Sequence, residues 1–419
     1  MPRAVAVVGA GWAGLAAAVE ATMAGAHVTL FEMAPHPGGR ARSVGDLDNG
    51  QHICIGAYRE VLRLMRVVGV GEVEAFVRMP LTLVDSDGFG LRLGRGAPMP
   101  AFALAVLRLR GWRWRERVAL LRLAARWFRQ GFACAPTATV ADLCADLPDR
   151  VRRDFIDPLC VAALNTPASE ASGSVFFRVL HDALASGPGS ADLLLPRLGL
   201  SELLATPATR WLSSRGAALR PAHRVERIER DESGWRVDGA SFDRVVLAAS
   251  AVESARLAAA HAPTWAATAT ALRYEPIVTV YARSAGCRLP EAMLALAASA
   301  VAPAQFVFDR GRLGGADGLL AFVVSGAADW VARGSEVVET AVLAQARQAL
   351  APYLAGPLEA VRTIVEKRAT FACTPGLARP PGRVTEGLFA AGDYIHGPYP
   401  ATLEGAVRSG VAAAAAAVA

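Results

Sequence analysis

Lysine is almost missing from this chain. Lys367 stands alone among 44 lysine and arginine residues, so the net charge of +6 is carried by arginine. Arginine excess of this kind follows from GC-rich coding and does not by itself imply nucleic acid. No recognition module surrounds any basic stripe, so no nucleic-acid partner is expected. Cysteine is scarce and unpatterned. Cys54, Cys134, Cys144, Cys160, Cys287 and Cys373 form no Cys-x-x-Cys. None stands at metal-ligand spacing with histidine, so neither a metal site nor a catalytic cysteine is expected, and a reduced cytoplasmic protein is the simplest reading. Charge is also thin, at 20% of residues against 53% hydrophobic. That balance suits a large buried core or an apolar substrate. Long apolar runs are nevertheless absent. No uncharged stretch reaches the roughly 18 residues of a membrane span, and the run 292–304 falls short. Arg3 before an apolar stretch has the look of a signal peptide, but cleavage there would destroy the glycine motif beginning at Gly9. There is no internal repeat.

What is present begins at once. Val5-Ala6-Val7-Val8 is a short apolar run, Gly9-Ala10-Gly11-Trp12-Ala13-Gly14 comes next, then a helix-like stretch, then His27 to Phe31 and Glu32. Gly-x-Gly-x-x-Gly between strand and helix, with a carboxylate about 20 residues on, is the dinucleotide fingerprint. Gly9 serves the tight turn, Gly11 the close approach of backbone to a pyrophosphate, and Gly14 the packing of helix on strand. Unpaired N–H groups and the positive helix end then face the phosphates. Glu32 is expected to accept hydrogen bonds from a ribose. The bland alternative, a glycine-rich turn, does not explain why strand, helix, second strand and acid all fall in order.

Pro37-Gly38-Gly39-Arg40 brings backbone N–H groups and a guanidinium to the same region, where an anion could sit. Asp48-Asn-Gly-Gln-His52 is a polar cluster, although a lone histidine such as His52 is more often structural than functional. The stretch 104–132 reads as one helix with Trp112, Trp114 and Trp127 interleaved with arginine. It is a candidate to lie on an anionic membrane surface, the alternative being solvated arginines on an ordinary surface helix. Leu159 to Pro167 is an apolar helix ended by Asn165 and Thr166. His223 to Ile228 and Trp235 to Val237 alternate as strands, with Asp231-Glu-Ser-Gly234 as the turn. Asp243 to Ala249 reads as a buried parallel strand. Strands near 277–282, 305–308, 319–324 and 361–372, with a helix over 335–354, form a second sheet. Leu388 to Asp393 is a strand ending in Gly392-Asp393. After it, Leu403-Glu-Gly-Ala406 opens an alanine-rich helix whose N-terminus could face the N1–C2=O edge of a flavin. The Gly405 and Ser409 pair alternatively marks close helix packing.

Taken together, the fingerprint with Glu32, the Gly39-Arg40 turn and the C-terminal Ala391-Gly-Asp393 with Glu404-Gly-Ala406 resemble the flavin amine oxidase and phytoene desaturase superfamily. Gly39-Arg-Ala-Arg-Ser43, Asp48-Asn-Gly-Gln-His52, Pro158 to Pro167, Leu195-Pro-Arg197 and Pro400 to Ala406 are similar to its hydroxysqualene dehydroxylase branch. The resemblance spans the whole chain. It implies an α/β fold: a discontinuous Rossmann-like FAD-binding domain with an α+β substrate domain. FAD-binding parts are expected at 1–80, 206–260 and 381–419, and substrate-domain parts at 81–205 and 261–380. It implies FAD as cofactor, with the pyrophosphate at Gly9, Gly11, Ala13 and Gly14 and the ribose at Glu32. Gly39 and Arg40 would lie beside the phosphates and the Val225 backbone near the adenine. Gly392 and Asp393 would meet the pyrophosphate or ribityl chain, and Leu403 to Ala406 the isoalloxazine.

The implied reaction is reductive dehydroxylation of hydroxysqualene, an apolar C30 isoprenoid alcohol, to squalene in squalene and hopanoid biosynthesis. The hydroxyl is protonated and leaves, and hydride comes from the reduced flavin. Candidate proton donors are His52, Tyr58, His396 and Tyr399. Carotenoid desaturation is the alternative. Amine oxidation is disfavoured, because the lone lysine lies far along the chain and Thr402 stands where a cage tyrosine commonly precedes Glu-Gly-Ala. A non-catalytic prenyl carrier is a further alternative. No second fingerprint for NAD(P)H is seen, so an external reductase or diffusible carrier is expected to supply electrons. The substrate would arrive from a membrane or an upstream squalene-pathway synthase, giving a cytoplasmic protein peripheral at the inner membrane face.

Overall fold

The computed structural model describes residues 2–232 and 234–419. Its first sheet has six strands. β1 (Ala4–Val8) and β2 (His27–Phe31) pair in parallel, as do β2 and β3 (Ala218–Arg220) and β1 and β4 (Arg244–Leu247). The last pair is β5 (Arg383–Thr385) and β6 (Leu388–Ala390). β6 runs parallel to β4, and β5 closes the edge antiparallel. The order β3-β2-β1-β4-β6-β5 joins strands from the start, middle and end of the chain. β1, β4 and β6 are apolar almost throughout because both faces of this sheet are covered. One is covered by the helices Trp12–Met23 and Leu403–Val418, the other by the small antiparallel sheet carrying Ile228, Trp235 and Val237 and by the helix Ala251–Ala258.

Five helices frame the candidate site: α1 (Trp12–Met23), α2 (Pro98–Arg108), α3 (Trp114–Arg129), α4 (Gly173–Ala185) and α5 (Leu403–Val418). α1 and α5 pack backbone to backbone. A Cβ on Gly410 would stand 2.2 Å from the Ala13 carbonyl oxygen, so the contact demands glycine on one helix and alanine on the other.

A second, antiparallel sheet holds strands Met293–Ala295, Phe306–Asp309, Leu319–Val324, Tyr274–Arg283 and Glu359–Phe371, in that order. The helix Ser335–Ala349 covers one face through Val338, Val342 and Ala346. The other face, with Tyr281, Phe306 and Phe308, packs on Ile53, Ile55, Leu193 and Leu195. The helix ends at Ala349, short of the expected 354, and a single turn over Ala351–Tyr353 comes after it.

Two expectations are corrected. The stretch 104–132 is two helices and not one. The chain breaks over residues 109–113, where Gly111 takes φ +80°, and the first helix begins earlier, at Pro98. His223 to Arg227 is not strand; pairing starts at Ile228. The Asp238 carboxylate collects the N–H groups of Glu226 and Arg227 instead, and such local side-chain bonds compete with a ladder. Of the expected turn at 231–234, Ser233 lies outside the described residues. Asn165 ends the helix Asp157–Leu164 in the left-handed region, φ 49°. Its amide donates to the Glu275 carbonyl and Thr370 and accepts from the Gly326 N–H. Among the described residues, no helix is long and apolar enough to cross a membrane.

Candidate active site

The fingerprint builds a cradle at the carboxyl end of β1. A Cβ on Gly14 would lie 1.8 Å from the Gly9 carbonyl oxygen, and one on Gly9 would lie 2.6 Å from the Ala248 carbonyl oxygen. Both positions must therefore be bare. Gly11 differs, since the nearest atom to a Cβ there is the Gly39 Cα at 3.9 Å. The space above Gly11 is open and walled by backbone. No side chain caps the N-terminus of α1, so its first N–H groups remain for a ligand. The Gly38–Gly39 turn is laced onto this cradle. Gly38 N–H donates to the Ala10 carbonyl at 2.8 Å, and the Trp12 indole N–H donates to the Ala41 carbonyl at 3.1 Å. The Glu32 carboxylate accepts from the N–H groups of Ala10 and Ala34 at 2.7 and 2.8 Å. Those bonds fix it at the rim of the cradle and leave further lone pairs for a ribose. This arrangement fits a dinucleotide: bare backbone for phosphate, an open helix end, and a fixed carboxylate beyond it.

The other expected cofactor positions fall into three groups. Arg40 donates to Asp393, and also to the carbonyls of Arg368 and Ala369. Arg40 and Asp393 are thus joined, linking the first and last segments of the chain. Gly392 offers its N–H to the Ser409 hydroxyl of α5, and Leu403 and Ala406 lie in the first turn of α5, capped by Thr402. The Val225 carbonyl accepts from Arg256 at 2.7 Å.

The Asp48 to His52 cluster is mostly scaffold. Asp48 accepts from the Ser43 hydroxyl and the Leu200 N–H. Asn49 donates to the Arg40 carbonyl and Glu366, and Gln51 accepts from Arg310. His52 keeps one ring nitrogen 3.1 Å from the Gly50 carbonyl oxygen. Burial lowers the His52 pKa below its ordinary value despite that carbonyl. The imidazole is therefore neutral at neutral pH.

Beside the start of α5 opens a cavity with about 1570 Å³ of unfilled space, its mouth included. Its walls are apolar: Ile53 and Ile55, Phe102, Trp127 and Phe132, Phe176 and Met293 are among the lining residues. Polar side chains on the lining are few, namely Tyr58, Asp182, Tyr399 and Thr402. Tyr58 stands beside Thr402 on the lining, and burial raises the Tyr58 pKa. The Thr402 hydroxyl donates to the Tyr399 carbonyl and accepts from the Gly405 N–H. The Tyr399 hydroxyl accepts from Arg178 at 2.8 Å. Asp182 is buried, yet bonds from Tyr399, His181 and Arg178 outweigh that burial and hold its carboxyl below the usual range.

Among the four expected proton donors, Tyr58 and Tyr399 share this cavity. His52 and His396 are not on its lining. His396 is exposed and opens instead on a groove along the outer side of α5. Asp182 was not foreseen. Its only sequence signal is the Arg178–Asp182 spacing on one helix face, which is common on any solvated helix.

Residues 12–418 match the family described as flavin containing amine oxidoreductase. Hydroxysqualene dehydroxylase of Sinorhizobium fredii is 29% identical over 243 residues, which are 54% of this chain and 55% of that one. Hydroxysqualene dehydroxylase of Zymomonas mobilis is 28% identical over 240 residues, 53% and 54% of the two chains. The chain thus spans about half the length of the curated relatives it matches. In three dimensions it superposes on an oxidoreductase from Methanosarcina mazei with a TM-score of 0.74. That pair is 16% identical, with 98% of this chain and 99% of that one covered.

Proposed function

We propose, from the premise that the chain belongs to the flavin containing amine oxidoreductase family, that it reductively removes the hydroxyl of hydroxysqualene to give squalene. Its cofactor is FAD, and the cradle of Gly9, Gly11, Ala13, Gly14 and Glu32, with Gly39, Arg40, Val225, Gly392, Asp393, Leu403 and Ala406 around it, is assigned to hold it. Bound and reduced, FAD supplies a hydride. The allylic alcohol loses its C–O bond, gains a C–H bond from that hydride, and takes one proton on oxygen, so that water leaves.

One observation carries this reading. The cavity is apolar along its walls, and its few polar side chains include two beside the start of α5, Tyr58 and Thr402. A polyisoprenoid chain matches the walls, and a single hydroxyl matches the polar end. We assign Tyr58 as the proton donor to the leaving hydroxyl. Burial keeps the phenol in its protonated form, so it holds a proton to give at the polar end of the cavity, beside Thr402. Tyr399 is a second donor, held by Arg178 and Asp182. Apolar walls exclude the water that would otherwise capture an allylic cation. Electrons come from an external reductase or diffusible carrier, and the substrate from a membrane or an upstream synthase of the squalene pathway.

The test is anaerobic incubation of the photoreduced, flavin-loaded protein with hydroxysqualene. Squalene formation with stoichiometric flavin reoxidation is the expected result. No product, together with oxidation of phytoene by the oxidised protein, would replace this reading with carotenoid desaturation.

A further inference from the structure

The outer face of the α2–α3 pair differs from the rest of the surface. Leu104 and Leu107 on α2, Trp114 and Phe128 on α3, and Phe89 of a neighbouring hairpin are all exposed, Trp114 to 63% and Phe128 to 52%. The Phe89 ring lies 3.9 Å from where a Cβ on Gly111 would stand, so the hairpin tip adjoins the turn between the helices. Arg108, Arg110, Arg113, Arg115, Arg122 and Arg129, on the same two helices and the turn between them, are exposed as well. Among the described residues, Arg126 alone of the eight arginines between 108 and 129 makes an ion pair, with Asp146. Arginines elsewhere are commonly paired, as Arg63, Arg78, Arg178 and Arg256 are.

The inner face of the same helices is the cavity wall, through Phe102, Leu120 and Trp127. A line of rings connects the two faces. Phe128 meets Phe132 edge to face at 6.4 Å, and Phe132, which lines the cavity, meets Phe177 at 5.9 Å. Phe132 has φ 56°, a left-handed backbone that a bulky residue rarely adopts. The chain accepts that strain and places an aromatic ring between surface and cavity.

We propose that this face seats on an anionic lipid bilayer and that an apolar substrate passes from the bilayer, by Phe128 and Phe132, into the cavity. Exposed Trp, Phe and Leu side chains enter the boundary between headgroups and acyl chains, and the unpaired guanidinium groups meet lipid phosphates. An acidic protein could use the arginines, but it would have no use for an apolar path leading inward. The proposal rests on the face and the cavity and not on which isoprenoid is turned over.

Flotation of the full flavin-loaded chain with vesicles tests it. The protein should rise with phosphatidylcholine vesicles containing phosphatidylglycerol, stay down with phosphatidylcholine alone, and be released by high salt. The triple variant Trp114→Glu/Arg115→Glu/Arg122→Glu should partition at least about tenfold more weakly. Its flavin absorbance and its turnover of detergent-dispersed substrate should match the wild type. Should that variant lose its flavin, Arg115→Gln/Arg122→Gln asks the same question through two exposed, unpaired side chains. A wild type that stays down with anionic vesicles overturns the proposal and points to an acidic protein partner. Equal flotation of wild type and charge-altered variant also overturns it.

Discussion

Gly14 has no room for a side chain, and that single fact ties the fold to the cofactor. A Cβ there would overlap the Gly9 carbonyl oxygen, and backbone is the least movable neighbour. Gly14→Ala must displace either α1 or the Gly9 turn, both of which shape the cradle. The variant should bind FAD at least about tenfold more weakly, read as flavin absorbance after gel filtration. Tyr58→Phe should keep FAD and lower turnover by roughly a hundredfold, the usual scale for a lost general acid. His52→Ala and His396→Ala should retain turnover; a hundredfold loss in either would move the acid away from Tyr58. His52 also predicts a pH effect. Its pKa is lowered in the fold from 6.5, so the unfolded chain binds more protons as the pH falls through 6.5. The stability contributed by the neutral ring is complete above 6.5 and is lost toward the lower folded value. Denaturant midpoints of wild type and His52→Gln should therefore converge as the pH drops from 6.5. At this scale the glycines were legible because spacing alone dictates their use. Asp182 was not, because nothing near it in sequence reveals that Tyr399, 217 residues later in the chain, meets it in space.

Elements were legible where periodicity and caps agreed. β1, β4, β6 and the start of α5 fall where the apolar runs, the Gly-Asp step and the Leu403 helix opening place them. The 104–132 stretch misled because leucine, tryptophan and arginine recur at helical spacing on both sides of Gly111, and only the turn reveals two helices. Trp127 was misplaced for a different reason. It was grouped with Trp114 as a surface ring, yet on the same helix it points to nearly the opposite side and is buried against Phe177 at 5.0 Å. The α1–α5 contact was half legible. The small residues at 405 and 409 signal close approach, but Gly410 makes the tightest contact with α1. Gly410→Ala puts a methyl group 2.2 Å from the Ala13 carbonyl oxygen. It should destabilise the protein by about 1–3 kcal/mol, the range of overpacked cores. Urea melts monitored by circular dichroism would measure this, and a variant as stable as wild type would mean the helices slide apart freely.

At the scale of the whole molecule, sequence order hides the assembly. β6 lies beside β4 although about 140 residues separate them, and Arg40 reaches Asp393 across 353 positions. A fingerprint at one end and a Gly-Asp step at the other implied that closure only through family resemblance. Periodicity carries no information on which distant strands pair. The scattered cysteines report on how tightly the closure holds. Cys54, Cys144, Cys160 and Cys373 are buried, and burial pushes their thiols up to about 12. Cys287 is buried and raised as well. Cys134 is half-buried and its thiol is raised too, but it alone of the six has partial access to solvent. Thiolate is the reactive form, so a buried thiol waits on opening of the chain. Cys54 belongs to the core with α1 and α5, Cys373 to the core beneath β4, and Cys144 and Cys160 to the core of α2, α3 and α4. Native protein treated with a disulfide reagent should therefore release one equivalent quickly, from Cys134. The remaining five should react together, at a rate set by opening, and all six at once in denaturant. If Cys144 and Cys160 react ahead of Cys54 and Cys373, the helical unit opens apart from the nucleotide-binding unit. A second fast equivalent in wild type that Cys144→Ser abolishes would locate that opening.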